Sequence, residues 1–377
     1  MNASTGEVLP AALSTLVPCG SRLASLCPSC SETYRKRAHL VVSSGLAIGS
    51  SVFLTTTAPS FGRVHACRDD GRPCWCGRYH APGDSIIGTP LNPGRYDYAA
   101  AAEWHLAAPD LWAASRHRLI RAFPDHKVSI LRVVEFQLRG AVHFHCIVRV
   151  GQKDDGPPPP SPVEVARIVR ACLLGQDNAG NPLHDRRNRV MRPVSGGKTG
   201  AVWGQQMDVQ PLDPSAETGT GSSRRIAAYL AKYLTKDVDG GRGTLVPGSP
   251  AARHLGRLAG VAGALWLERQ GVAPTSPEWA ILRAGRRYKR LRRQYGYTGA
   301  LLSKSPAWGT TFAELKAAAR AYALVALPAA ERERRAASPV PLWRYDARRT
   351  AELRQVLAAG TGHPAASPEP QPGTATP

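Results

Sequence analysis

An α+β fold, with a central antiparallel sheet flanked by helices, is predicted by three features of this 377-residue chain. The first is a hairpin at 132–150, RVVEFQLRGAVHFHCIVRV, in which two β-rich runs flank Arg139-Gly140. The second is a pair of further apolar runs, at 51–57 and 203–209, that read as strands. The third is the interleaving of these runs with helical stretches at 32–46, 103–123, 163–174 and 223–237. Hairpin pairing together with long helices gives a layered α+β architecture rather than a parallel sheet.

Composition narrows the class of partner. Lys and Arg number 49 against 28 Asp and Glu, a formal charge of +21. A chain this basic calls for a polyanionic partner, with counterion release dominating its affinity. A membrane surface is the rival, but no apolar run approaches the length of a spanning helix and no basic amphipathic helix stands at a terminus. The first twenty residues lack a basic n-region and a long apolar core, so no secretion signal is read there and a cytoplasmic location is expected. In that compartment the eight cysteines are not expected to form a disulfide framework.

Residues 1–17 are expected to be poorly ordered. Cys19, Cys27 and Cys30 follow, the last two as a Cys-Pro-Ser-Cys knuckle that can clasp a tetrahedral metal from one turn. Cys67, Cys74 and Cys76 form a second group, with His65 and His80 nearby. These clusters offer up to eight ligands where four suffice, so the pairing stays open. One structural zinc that includes Cys27 and Cys30 is expected. The helical stretch 32–46 ends at glycine, and the threonines of 51–57 line either a ligand surface or the core. In the 103–123 helix, Trp104 and Trp112 read as core anchors, accompanied by Arg116, Arg118 and Arg121.

After the hairpin, Gly156-Pro-Pro-Pro-Pro-Ser-Pro162 is a stiff spacer. A helix, a mixed loop and the 203–209 strand lead to the helix at 223–237. Beyond it Gly240-Gly241-Arg242-Gly243 is a flexible joint, and the remainder is mostly helical and basic. Arg283, Arg286, Arg287, Lys289, Arg290, Arg292 and Arg293 fall within eleven residues that contain no acid, with Tyr288 and Tyr295 among or beside them. A solvated helix face is the ordinary fate of such a run; seven cations without an acid favour a phosphate-tracking surface. Residues 358–377 are rich in Ala, Pro, Gly and Thr and are expected to be disordered. The expected organisation is therefore an N-terminal zinc-knuckle segment at 1–48, a central domain at 49–239 with a ligand-bearing insertion at 65–80, a basic helical region at 240–357, and the tail.

Residues of equal parity share one face of a strand. His143 and His145 therefore point one way, and Val142, Phe144 and Cys146 the other. With an odd loop, Leu138 to Gly140, and Gly140 left-handed, position 135 lies opposite 143, so Glu135 joins the histidines on one face. Two imidazoles and a carboxylate in an aliphatic setting suit a divalent metal with open coordination positions. The alternative is a pair of half-buried structural histidines. Gln137 shares the same face and is the second choice for a third ligand.

Downstream, SRRIAAYLAKYLTKD reads as a helix. At about 100° per residue, Tyr229, Lys232, Tyr233 and Lys236 fall within one arc, while Ala227, Leu230, Ala231 and Leu234 occupy the other side. Taken alone, this is an ordinary amphipathic helix with tyrosines at its rim. Joined to the His-x-His hairpin, it supplies what transesterification at a DNA phosphate needs: a phenol nucleophile, lysines and metal-binding histidines.

HFH followed by YLAKYLTK resembles the HUH endonucleases (U being a hydrophobic residue) that initiate rolling-circle replication. Their first motif, an apolar strand with threonines, corresponds here to FLTTTAPSFGRVH at 53–65, and all three motifs occur in the family's order. The doubled tyrosine of YLAKY is similar to the two-tyrosine phage gene A proteins. The chain also resembles the replication initiators of actinobacterial plasmids and integrative elements, through CPSCSETYR, TAPSFGRVH, RYDYAAAAEWHLAAPDLW, VVEFQLRGAVHFH, WGQQMDVQPL, YLAKYLTK and YGYTGALLSKSPAWGTTF, which together run from 19 to 312.

That resemblance implies a five-stranded sheet with the His-U-His strand central and the tyrosine helix packed alongside. It implies a site-specific nicking and rejoining enzyme for single-stranded and duplex origin DNA, with Mg2+ or Mn2+ at His143, His145 and Glu135 and a 5′-phosphotyrosine intermediate. Tyr233 matches the tyrosine kept in single-tyrosine initiators, and Tyr229 stands where those carry an acid. Lys232 and Lys236 would assist the phenol, and host helicase and polymerase would take over the nicked strand. Other readings are a relaxase or transposase built from the same parts, a zinc-containing DNA-binding regulator without catalysis, and a metal hydrolase using the histidines alone.

Overall fold

The computed structural model describes residues 18–46, 49–68, 70–177, 181–184, 188–212, 223–236, 245–325 and 329. The stretches expected to be disordered, 1–17 and 358–377, and the glycine joint at 240–243 lie outside the described residues. Pro18–Ala318 forms one compact unit. No helix among the described residues is long and apolar enough to cross a membrane.

The elements run α1 (Pro28–Ser43), β1 (Ser50–Thr57), α2 (Tyr98–Ala122), β2 (His126–Phe136), β3 (Val142–Gln152), α3 (Pro162–Leu174), the two-residue strands β4 (Ser195–Gly196) and β5 (Ala201–Val202), and β6 (Asp208–Leu212). They continue through α4 (Ser223–Thr235), α5 (Pro250–Glu268), α6 (Pro277–Ala284), α7 (Arg286–Arg293), β7 (Leu302–Lys304) and α8 (Phe312–Val325). Five strands form one antiparallel sheet in the order β6-β1-β3-β2-β7, so β3 is central.

Several boundaries differ from the sequence reading for local reasons. The first helix starts at Pro28, with its fixed φ suited to the first turn. The second starts at Tyr98 because the Asp97 carboxylate accepts the Ala100 N–H. The run at 203–209 is not one strand. Gly204 donates its N–H to Thr57 O, and a Cβ there would meet Ala58 O at 2.7 Å, so the chain crosses the end of β1 before β6 begins at Asp208. β7 was not foreseen, since LSK carries no strand signal beyond its pairing with β2.

Strand alternation sorts the sheet into two faces. Phe144, Cys146, Val148 and Val150 of β3 join Val52 and Leu54 of β1 in a core with Leu111, Leu119, Val169 and Leu258 from α2, α3 and α5. On the opposite face Leu131, Val133 and Ile147 pack with Ala38 and Val42 of α1 and with Ile226, Ala227, Leu230, Ala231 and Leu234 of α4. Burying each of the larger side chains contributes about 1.5–3 kcal/mol. The seat of α1 is secured by Arg149, whose guanidinium donates to Gly45 O at 2.7 Å, Ala307 O at 2.6 Å and Trp308 O at 3.3 Å. The Trp308 indole donates to Val41 O, and a Cβ on Gly45 would meet its ring at 2.4 Å, so only glycine fits there.

His105 in α2 is fully buried and its Nδ1 donates to Tyr295 O at 2.6 Å. Burial pushes this imidazole down to about 4. The unfolded chain therefore takes up a proton between about pH 6.5 and 4 that the folded chain refuses, and stability is lost as pH falls through that window. The urea midpoint should drop accordingly, and His105→Asn, which keeps a donor to Tyr295 O, should make the pH slope shallower. An unchanged slope would remove His105 as its source.

Candidate active site

The hairpin register builds the site. Gly140 has φ of +78°, Gln137 N–H donates to Ala141 O, and Gly140 N–H to Gln137 O, which sets Glu135 directly opposite His143. From the other side β1 sets Thr57 opposite His143 and Thr55 opposite His145. A carboxylate oxygen of Glu135 and one ring nitrogen from each of His143 and His145 lie within 4.8 Å of one another. His145 Nε2 is 3.0 Å from Glu135 Oε2, and its Nδ1 is 3.2 Å from Thr55 Oγ1. The other Glu135 oxygen accepts from Lys236 Nζ at 2.8 Å.

The electrostatics suit a cation. Burial, reinforced by the neighbouring His145, pushes His143 down to about 4, leaving a neutral imidazole at neutral pH. Its Nε2 is buried without a hydrogen-bond partner, a cost of about 1–3 kcal/mol unless something fills it. Burial alone would raise the Glu135 carboxyl, but its contacts with His145 and Lys236 outweigh that and hold it below the usual range. An ionised carboxylate beside a neutral imidazole whose Nε2 has no partner fits a divalent cation. Gln137 is engaged elsewhere, its Oε1 accepting from Arg139 Nε at 2.8 Å.

The α4 helix lays its phenols against this cluster because Leu230 and Leu234 hold its inner side to the sheet. The Tyr233 ring stacks on His145 with centroids 5.1 Å apart, while Tyr229 meets the same imidazole edge-on at 5.4 Å. The two phenol rings lie 4.5 Å apart. Burial raises Tyr233 far above an ordinary phenol, and the hydrogen bond with Tyr229 and the negative charge of Glu135 add to this. Lys236 Nζ sits 4.2 Å from the Tyr233 ring centroid. The two lysines separate here: Lys236 reaches the site, whereas Lys232 is exposed.

The sequence does not single out two contributors. Thr55 orients His145, but nothing distinguishes it from Thr56, whose side chain is buried on the other face. Arg22 donates to Leu234 O and Lys236 O, both at 3.0 Å, and so caps the carbonyl end of the tyrosine helix from 212 residues away. It lies between Cys19 and Cys27, and Ser31 Oγ donates to its carbonyl at 2.9 Å.

The cysteines divide into two groups. Cys19, Cys27 and Cys30 bring their sulfurs together beside Arg22, and His65, Cys74, Cys76 and His80 form the other group, each with ligand atoms within 4.8 Å of one another. Cys67 belongs to neither. All are free thiols. The basic run splits into α6 and α7 at Gly285; Arg283, Arg286, Arg287, Lys289, Arg290, Arg292 and Arg293 are all exposed, while Tyr288 and Leu291 anchor α7 to Trp266 and Leu267. Among the described residues none of the seven pairs with a carboxylate.

Removing the carboxylate placed to meet a cation should matter more than removing its neighbour. Glu135→Ala is expected to weaken Mn2+ binding by more than about tenfold, measured by paramagnetic resonance of free Mn2+. Gln137→Ala should leave it unchanged; the reverse pattern would transfer the ligand role to Gln137.

Comparison with known proteins agrees along nearly the whole chain. The family described as "Replication initiator protein, pSAM2" (RepSA) matches residues 1–363. A replication initiator protein of Streptomyces ambofaciens is 30% identical over 370 residues, covering 85% of this chain and 74% of that protein. No solved structure matches the chain. With the family pattern spanning all but the last residues and a relative aligned along most of both chains, this chain belongs to the RepSA family of replication initiator proteins.

Proposed function

We propose that this replication initiator is a site-specific, metal-dependent endonuclease and ligase of the HUH type, which nicks one strand of origin DNA and so starts rolling-circle replication. The observation that carries this is the stacking of Tyr233 on His145, which sets a phenol against the His143–His145–Glu135 cluster. A Mg2+ or Mn2+ ion held by those three residues would polarise the scissile phosphate and offset the Glu135 charge that disfavours ionisation of Tyr233. The Tyr233 oxygen attacks phosphorus as its proton passes to solvent. The bond from phosphorus to the 3′-oxygen breaks, and that oxygen takes up a proton. The products are a 5′-phosphotyrosine and a free 3′-hydroxyl, from which host helicase and polymerase could continue.

One phosphodiester is exchanged for another, so the reverse reaction rejoins the strand without ATP. Lys236 holds Glu135 and lies over the Tyr233 ring, where its charge steadies a developing phenolate. Lys232, exposed on the same helix, is free to meet the DNA backbone. Tyr229 stands close enough to the same histidine to attack in a second round. A structural zinc at Cys19, Cys27 and Cys30 would fix the loop that carries Arg22, and through it the end of the tyrosine helix.

Tyr233→Phe removes a hydroxyl and little else, so DNA binding should persist while the covalent adduct on single-stranded origin DNA disappears. Tyr229→Phe should still form the first adduct. Peptide mapping decides between them: a nucleotide found only on Tyr229 would overturn the order.

The exposed cations of α6 and α7 should hold DNA by its backbone. Replacing Arg286, Arg290 and Arg293 by Gln is expected to weaken binding to every sequence alike and to reduce the slope of log affinity against log salt by about two to three. Loss of origin preference at an unchanged slope would exclude a backbone role.

A further inference from the structure

The loop between β1 and α2 carries a device that the nicking chemistry does not use. Its base is clasped by His65 N–H to Thr89 O at 2.8 Å, Gly88 N–H to His65 O at 2.7 Å and Leu91 N–H to Arg63 O at 3.0 Å. Inside the clasp there is almost no apolar core. Among the described residues of 65–88, only Cys74 and Ile87 are buried apolar side chains. A loop this long needs another constraint to hold one conformation.

Its polar groups converge on a single point. His65 Nδ1 and His80 Nε2 are 3.3 Å apart, Cys76 Sγ is 3.3 Å from His80 Nε2, and Cys74 Sγ is 3.9 Å from His65 Nδ1. Four ligands around zinc, at about 2.0–2.1 Å for nitrogen and 2.3 Å for sulfur, stand roughly 3.3–3.8 Å from one another at tetrahedral angles. Asp84 Oδ2 lies 3.0 Å from His80 Nδ1, the outer carboxylate partner that orients a zinc-bound histidine. The turn is tight: Gly77 N–H donates to Cys74 O with Gly77 at φ of +83°, and Cys74 N–H donates to Arg78 O.

That turn displays what lies between its two thiols. Trp75 is 62% exposed, and the Arg63 and Arg68 guanidinium carbons lie 4.4 and 5.3 Å from its ring centroid. Arg72, Arg78 and Tyr79 of the same loop are also exposed. The loop leaves the sheet just after Thr57, which pairs with His143, and returns where Gly88 packs on the Leu138–Arg139 backbone of the β2–β3 turn. It thus rises from the end of the sheet that bears Glu135 and His143.

We propose that His65, Cys74, Cys76 and His80 hold a zinc ion, and that the knob it stiffens stacks Trp75 on the bases of single-stranded DNA leaving the nicking site. An exposed indole among arginines joins a base-stacking platform to a backbone-binding surface. The DNA contact rests on the nicking reading for its location, but neither measurement below requires a covalent adduct, so the two can fail separately.

Zinc content of purified full-length protein, by plasma mass spectrometry, should fall by one ion per chain in Cys76→Ser and be retained in Cys67→Ser. Unchanged zinc in Cys76→Ser would overturn the metal assignment. Should Cys76→Ser prove insoluble, cobalt loading of the wild type and of His80→Cys keeps the question open to measurement: charge-transfer absorption must grow with the added thiolate, and identical spectra would reject the site. Trp75→Ala should keep its zinc yet bind a fluorescent oligo-dT strand about 5- to 150-fold more weakly, with Trp75→Phe recovering most of the loss. Wild-type affinity in Trp75→Ala at matched salt would overturn the contact.

Discussion

The antiparallel register of β2 against β3 is the constraint on which the candidate site depends. Glu135 faces His143 because the turn at 138–140 holds an odd number of residues and closes on a left-handed Gly140. A slip by one residue would carry the carboxylate to the opposite face, among Phe144 and Val148. Gly140 is constrained twice, since a Cβ there would also meet Leu255 Cδ2 at 2.7 Å. The turn is therefore seated on α5, and the chemistry of one face is tied to the packing of the other.

The second requirement is that a helix from far along the chain arrives at the same face. α4 is held by its apolar side against Leu131, Val133 and Ile147, and by Arg22 at its carbonyl end. Neither contact alone aims a phenol at His145. The apolar contacts determine which side of the helix faces the sheet, and the arginine satisfies its last carbonyls. Lys236 then bridges helix and strand through Glu135. Cysteine loop, helix and cluster form one continuous mechanical path.

Charge is distributed with the same economy. The chain carries +21 overall, yet Glu135 lies at the centre of the site, ionised and flanked by His145 and Lys236. Among the described residues, arginines without a carboxylate partner stand outside, on α7 and, as Arg63, Arg72 and Arg78, on the loop around Trp75, where Arg68 is held by Asp70. On the proposed reading, such a division would concentrate a polyanion over the surface and leave one carboxylate for a cation.

Much of this was legible in the sequence. The α+β class, the antiparallel hairpin, the shared face of Glu135, His143 and His145, and the inner face of α4 follow from periodicities of two and 3.6, which local sterics impose on any chain. Which lysine would reach the site was not legible, because Lys232 and Lys236 occupy the same arc and only the docking of α4 separates them. The grouping of His65 and His80 with Cys74 and Cys76, apart from Cys67, depended on a loop path that spacing does not encode. Arg22, Thr55 and the strand β7 act through partners dozens to hundreds of residues away. Periodic pattern is a local property and survives in the sequence; the meeting of distant segments is created by packing, and only the tertiary structure decides it.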